Sequence, residues 1–284
     1  MASAARARTR SWQAALTYAN LTPFIFFALF PFYFMFVTSF KRNAELYSLK
    51  SIPFWIQSGV ITDHYAFLFQ RTEFLTWIKN SLIISVVATA VSLIIAILAG
   101  YSLARLRYRG VGSFGTAVFI SYLVPPTLLF LPLSQVVSWL GLSDSIWALV
   151  VTYPTFLVPF STWLLMGYFR TVPREVEECA LVDGATRMQT LFKIVLPMAI
   201  PGVVCAALFG FTLCWNEFIY ALTFLTSVQN KTVPVAIVNE FVDGDVYRWG
   251  SLMAGALAGS LPLVLLYAFF VEHYVSAMTG AVKE

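Results

Sequence analysis

Long uncharged apolar stretches separated by short charged segments set the pattern of this chain. Six gaps are free of charge: residues 11–40, 80–104, 110–143, 145–169, 194–216 and 249–271. About 20 apolar residues suffice to cross roughly 30 Å of hydrocarbon, so each gap can hold a membrane span. The pattern predicts helices near residues 17–40, 80–103, 114–138, 145–168, 200–225 and 250–273.

Composition supports this reading. Of the 284 residues, 59% are hydrophobic and 11% charged, whereas a soluble domain carries roughly 25% charged residues. No block is long and polar enough for a soluble domain. Arg6, Arg8 and Arg10 precede the first apolar run as in a signal peptide, but its end, Phe36 to Lys41, offers no small-residue cleavage site. A retained first span is expected.

Six spans would leave both termini on one side. Eleven basic residues then share that side, among them Arg6, Arg105, Arg107, Arg109, Arg170, Arg174, Arg187, Lys193 and Lys283; seven fall on the other. Basic residues in short loops mark the cytoplasmic face. The expected product is an all-α polytopic protein of the cytoplasmic membrane with both termini inside. It divides into a tail (1–16), a six-helix domain (17–274) and a second tail (275–284).

Several chemistries are disfavoured. The net charge of +4 forms no basic stripe with interleaved aromatics, so nucleic acid is not an expected partner. Cys179, Cys205 and Cys214 lack zinc spacing, and His64 and His273 lie far apart, so no metal site is expected. Gly110 to Gly115 matches GxGxxG, but follows arginines and opens a span instead of following a strand. No Walker A lysine motif occurs, so ATP is not expected to bind this chain in that manner. A secondary carrier would need paired intramembrane carboxylates; Glu217 and Glu272 lie at opposite ends. A membrane-embedded enzyme would need a nucleophile or metal constellation, which is absent from the pattern.

The third gap contains Pro125, Pro126 and Pro132, and the fourth Pro154 and Pro159. Such prolines free carbonyls and bend a helix, either to line a path or to pack; the pattern leaves both open. Ser251, Gly255 and Gly259 have the spacing that lets helices approach closely. Asn216 and Glu217, near the outer end of the fifth span, suit either a polar wall on a substrate path or an interfacial position beside Trp215. The aromatic outer loops, with Tyr47, Phe54, Trp55 and Tyr65 and then Tyr247, suit an external partner or the membrane surface.

The stretch Pro173 to Pro201 combines dense charge with helical periodicity. Pro173 suits a first helical position, and Glu175, Glu177 and Glu178 follow where the helix dipole favours acids. Gly184 suits a left-handed stop. Thr186 and Gln189 make a capping-box pattern, opening a second helix. Its Met188, Leu191, Phe192 and Val195 fall on one face, and Pro197 is expected to end it.

Glu178-Cys179-Ala180, Gly184 and Ile194-x-Leu196-Pro197 resemble the EAA loop of ABC-importer permeases, with Cys179 in place of an alanine. Asn80-Ser81, Trp215 to Phe218 and Thr279 to Lys283 extend the likeness to the carbohydrate branch, similar to the shorter permease of maltose-type importers. The resemblance implies a type I importer fold without catalytic residues. It implies an ATPase-coupling site at Glu177, Glu178, Cys179, Ala180, Asp183, Gly184 and Ala185, within residues 173–197. It also implies a second permease, two ATPase subunits that carry the ATP and Mg, and an extracytoplasmic binding protein. The cargo it implies is a sugar, oligosaccharide, polyol or related solute.

Overall fold

The computed structural model describes the backbone of residues 2–244 and 246–280 and the side chains of residues 16–244 and 246–271. Met1, Asp245 and residues 281–284, among them Lys283, thus lie outside the described residues. In chain order the helices are α1 (Ala2–Ser39), α2 (Asn43–Leu46), α3 (Asp63–Arg71), α4 (Phe74–Arg105), α5 (Val111–Leu123), α6 (Pro126–Trp139), α7 (Ile146–Thr152) and α8 (Pro154–Thr171). They continue as α9 (Arg174–Val182), α10 (Arg187–Thr190), a π turn (Leu191–Val195), α11 (Leu196–Met198), α12 (Ile200–Asn216), α13 (Ile219–Phe224), α14 (Val233–Phe241) and α15 (Trp249–Gly280). One short antiparallel pair, β1 (Val242–Asp243) and β2 (Val246–Tyr247), precedes α15.

Among the described residues, four helical stretches are long and apolar enough to cross a membrane: Leu16–Ser39, Phe74–Arg105, Ile146–Thr171 and Trp249–Val271. Two bent pairs raise the number to six if each forms one span. The helix expected near 114–138, with its prolines expected to bend it, is two helices, α5 and α6, which meet at 95°. The cause is Pro125-Pro126: neither nitrogen carries a hydrogen for the ladder, and each ring crowds the turn before it. The expected 200–225 helix stops at Asn216 and restarts at Ile219. Helix α1 starts at Ala2, well before the expected 17.

The chain forms two compact units. One holds the chain up to Thr72 together with Ile237–Ala258. In it the Lys41 ammonium is buried and donates to the carbonyls of Ile52 (2.6 Å) and Pro53 (3.1 Å), with the Glu45 carboxylate at 3.3 Å. Burial works to raise the Glu45 pKa, but bonds from the Ser58 hydroxyl and amide, the Gln57 amide and Lys41 outweigh it and bring it down to about 2. A depressed carboxyl stabilises the fold fully above its ordinary value of 4.5, and that contribution is lost as pH falls toward about 2. Glu45→Gln is therefore expected to flatten the fall of unfolding temperature across that acid range. An acid limb as steep as in the parent chain would refute the assignment.

The other unit holds Glu73–Ala236 and the chain from Gly259 on. Its centre is α4, which packs along α8 and α12. One core joins Ile84 and Ala88 of α4 to Leu149, Tyr153 and Leu157 and to Tyr220 and Phe224 of α13. A second joins Ala96 and Tyr101 at the far end of α4 to Leu165, Phe169, Leu191 and Val195. At the start of α4, Trp77 donates to the Val228 carbonyl at 2.7 Å and Asn80 to the carbonyls of Gln229 (2.8 Å) and Lys231 (3.1 Å). The Ser81 hydroxyl accepts the Val233 amide.

Asp144 closes the same loop from the other side, with φ of +56°. Its carboxylate accepts the Ser227 hydroxyl and the amides of Ser227 and Thr226, both at 2.9 Å. These bonds, led by the Ser227 hydroxyl and opposed by burial, hold its pKa well below the usual carboxylate range.

Candidate coupling site

The segment from Pro173 to Met198 is built by local rules. Pro173 stands one place before the first helical residue, at the N-cap and not the first position. It fits there because the N–H it lacks has no partner in a first turn. Helix α9 then ends in a Schellman closure. The Ala185 amide bonds the Ala180 carbonyl (3.0 Å), the Gly184 amide bonds that of Leu181 (3.1 Å), and Gly184 has φ of +87°. Glycine tolerates this left-handed geometry without strain.

The next turn opens with the expected capping box. The Thr186 hydroxyl accepts the Gln189 amide at 3.2 Å, and the Gln189 side chain accepts the Thr186 amide at 2.8 Å. Pro197 does not end this helix, contrary to expectation. The run passes through the π turn and stops at Ala199, whose amide bonds the carbonyls of Val195 and Leu196. A widened turn relieves the clash a proline ring makes with the preceding turn, so the helix passes the proline. Beyond Ala199 the chain turns 80° into α12.

The adjacent glutamates part company. Glu177 is buried and faces the end of α4, whereas Glu178 is exposed. Glu177 accepts the Tyr101 hydroxyl at 2.6 Å and pairs with Arg105 Nε at 3.5 Å and Arg187 at 3.3 Å. The Arg105 side chain is 3% exposed and Glu177 6%, against 57% for Arg187. The inner pair is therefore desolvated and the outer one wet. Arg105 also donates to the Val172 carbonyl, just before α9.

Of the remaining predicted coupling residues, Cys179, Asp183 and Gly184 are exposed, Ala185 is half-buried, and Ala180 is buried beneath the helix. The second helix's apolar face is split. Leu191 and Val195 enter the core beside Tyr101 and Phe169, while Met188 and Phe192 remain exposed. Val182, not singled out from the sequence, is 87% exposed beside Asp183. Glu177's part in fixing α9 to the end of α4 was hidden by its neighbour. Its i, i+3 relation to the small Ala180 is the signal that places it on the inward face.

Asn216 and Glu217 lie elsewhere, at the end of α12. Asn216 is exposed and bonds the Thr212 carbonyl at 2.9 Å. Glu217 stands in the break between helices. It accepts the amides of Tyr220 (2.8 Å) and Ala221 (3.1 Å) and the Tyr153 hydroxyl (2.9 Å), and so caps α13. Such a cap satisfies amides that a helix start leaves open. Among the described residues, no group of three or more His, Cys, Asp or Glu side chains could hold a metal ion.

The family described as "Binding-protein-dependent transport system inner membrane component" matches residues 92–280, which include the coupling segment and every helix from α5 on. The inner membrane ABC transporter permease protein YcjP of Escherichia coli is 35% identical over 94% of this chain and 95% of its own length. The diacetylchitobiose uptake system permease protein DasC of Streptomyces coelicolor is 31% identical, over 93% and 96%. The trehalose/maltose transport system permease protein MalG of Thermococcus litoralis is 33% identical, over 90% and 91%. The crystal structure of a bacterial ABC transporter involved in the import of the acidic polysaccharide alginate contains a chain of the same fold. It gives a TM-score of 0.77 at 21% identity, over 94% of this chain and 98% of that one. With bent apolar helices, a capped two-helix segment between α8 and α12, and full-length likeness to permeases, the chain belongs to the binding-protein-dependent transport system inner membrane components, the permease subunits of ABC importers.

Proposed function

We propose that this permease carries a sugar, an oligosaccharide or a related polyol, and that α9 with Val182, Glu178 and Asp183 forms the surface held by a partner ATPase. The sugar reading is supported by the full-length relatives named for diacetylchitobiose and for trehalose and maltose. The coupling reading is supported above all by one observation: Glu177 fixes α9 to the end of α4 while Glu178 beside it stays free. One face of the helix is thus tied to the bundle, and the other is presented with an apolar knob and two carboxylates.

In this reading ATP and Mg bind two partner ATPase subunits, a second permease completes the path, and a binding protein delivers solute from outside. The arginine-rich end of α4 and the coupling segment face the cytoplasm, in keeping with the basic residues collected there. Movement of α9 passes through the buried Glu177–Arg105 pair into α4. The far end of α4 carries the loop held by Trp77 and Asn80. ATP and loaded binding protein must both favour the outward-facing arrangement for the cycle to turn.

The direct test is Glu178→Lys. The exposed side chain leaves the fold intact, so the variant is expected to insert and fold normally but to lose ATPase co-purification and ATP-dependent uptake. Unchanged co-purification and uptake would overturn the docking role. Thermal shift of the binding protein against a sugar panel tests the cargo; stabilisation by amino acids or peptides alone would overturn the sugar reading.

A further inference from the structure

Two helix breaks meet in the unit built around α4. The first is the bend at Pro125-Pro126 between α5 and α6. The second is the gap at Glu217-Phe218 between α12 and α13. The Tyr220 hydroxyl of α13 donates to the Pro126 carbonyl at 3.1 Å and holds the two breaks together. Their depths agree. Helix α5 has 13 residues and α12 has 17, none of them charged. At 1.5 Å per residue the breaks lie about 20 Å and about 25 Å along these helices. The hydrocarbon to be crossed is roughly 30 Å thick, so both breaks fall inside it.

Irregular backbone at that depth persists only where protein covers it or where it lines a wet cavity. Part of this region is covered. Glu217 is engaged by the Tyr220 and Ala221 amides and the Tyr153 hydroxyl. Part is open: Asn216, Thr127 and Tyr122 flank the breaks and are exposed. Asn216 gives one N–H to the Thr212 carbonyl at 2.9 Å, which leaves its side-chain oxygen and second N–H for another partner. An amide and a hydroxyl are costly to set against lipid tails. We infer that the joined breaks form a sugar subsite of the translocation path, with the Asn216 amide and the Thr127 hydroxyl as hydrogen-bonding ligands and the Tyr122 ring as an apolar wall. The two ligands are uncharged, and each can donate and accept, which suits a neutral, hydroxyl-rich solute. The inference rests on the sugar reading above and adds that this subunit itself touches the cargo.

The test uses the complete importer in nanodiscs, held outward-facing with ATP and vanadate, and radiolabelled maltose, trehalose and diacetylchitobiose as probes. The parent importer is expected to retain at least one of them. Asn216→Leu is expected to retain it about tenfold less tightly, the loss of one or two neutral hydrogen bonds, with the second permease and the ATPases still co-purifying. Adding Thr127→Val, which keeps the shape of the side chain, is expected to cost about fivefold more. Asn216→Gln keeps the amide and is expected to fall between the parent and Asn216→Leu. Retention by Asn216→Leu equal to that of the parent would overturn the subsite and leave the sugar reading standing. A double variant no weaker than Asn216→Leu would overturn the part given to Thr127. Loss of the second permease from Asn216→Leu would also overturn the subsite, by assigning Asn216 to the contact between permeases. Retention of none of the three sugars by the parent would overturn the sugar reading, and the subsite with it.

Discussion

Glu177→Ala is expected to release α9 from the end of α4 and to destabilise this part of the protein by about 3–5 kcal/mol, the cost of leaving one member of a buried ion pair uncompensated. The substitution strands Arg105, whose side chain is 3% exposed, and removes the acceptor of the Tyr101 hydroxyl. Loss of the Arg187 contact adds little, because that arginine is 57% exposed and its pair is screened by solvent. Amide exchange across residues 174–198 should speed up well before the rest of the chain opens, and uptake should be lost with it. Glu178→Ala, one residue on, should leave exchange unchanged. That contrast separates an anchor from a docking surface: equal exchange in both variants would show that Glu177 does not hold the helix.

Gly202→Ala is expected to cost about 1–3 kcal/mol, the usual price of forcing one extra carbon into a packed site. A Cβ there would lie 2.3 Å from Tyr168 Cγ and within 2.7 Å of both Cδ atoms. The clash is with the root of the ring, so a small swing of its tip cannot relieve it. Either α8 and α12 separate or Tyr168 leaves its rotamer. Thermal unfolding in detergent should fall for Gly202→Ala and recover in part when Tyr168→Ala is added, because the second change removes the obstacle. A neutral Gly202→Ala, or a double variant worse than the sum of its parts, would rule out the clash. Gly202 lies in the first turn after the 80° bend, so a forced separation there should also weaken coupling before it weakens insertion.

The spans and the coupling segment were legible because both rest on local rules. Apolar length marked the membrane helices, and Gly184, Thr186 and Gln189 carry their own geometry wherever they occur in that order. The spacing from Glu178 to Pro197 then pointed to the family that full-length likeness shows. The 95° bend at Pro125 was half legible: proline announces a break, but its angle depends on what packs against each half. Pro197 misled because a π turn upstream absorbs its ring, and that turn has no sequence mark of its own.

The clamp of Asp144 on Ser227 joins residues 83 positions apart and left no trace in the pattern. The division of labour between Glu177 and Glu178 was likewise hidden. Neighbouring residues on a helix point about 100° apart, and only the position of α4 decides which is buried. Glu217 was read as either a path residue or an interfacial one. The structure also places it as the cap of α13, bonded to Tyr153 and two amides.

Helix α4 is 32 residues long, has no proline, and is fastened at both ends. At 1.5 Å per residue it is a lever arm of about 48 Å. A tilt of about 5° pivoting at the Tyr101–Arg105 end would sweep the Trp77–Asn80 end, about 37 Å away, through about 3 Å, the length of a hydrogen bond. A stroke too small to disturb the packing around Glu177 is therefore large enough to make or break the bonds by which Trp77, Asn80 and Ser81 hold the opposite loop. The amplification comes from the length of one helix and needs no change in its shape.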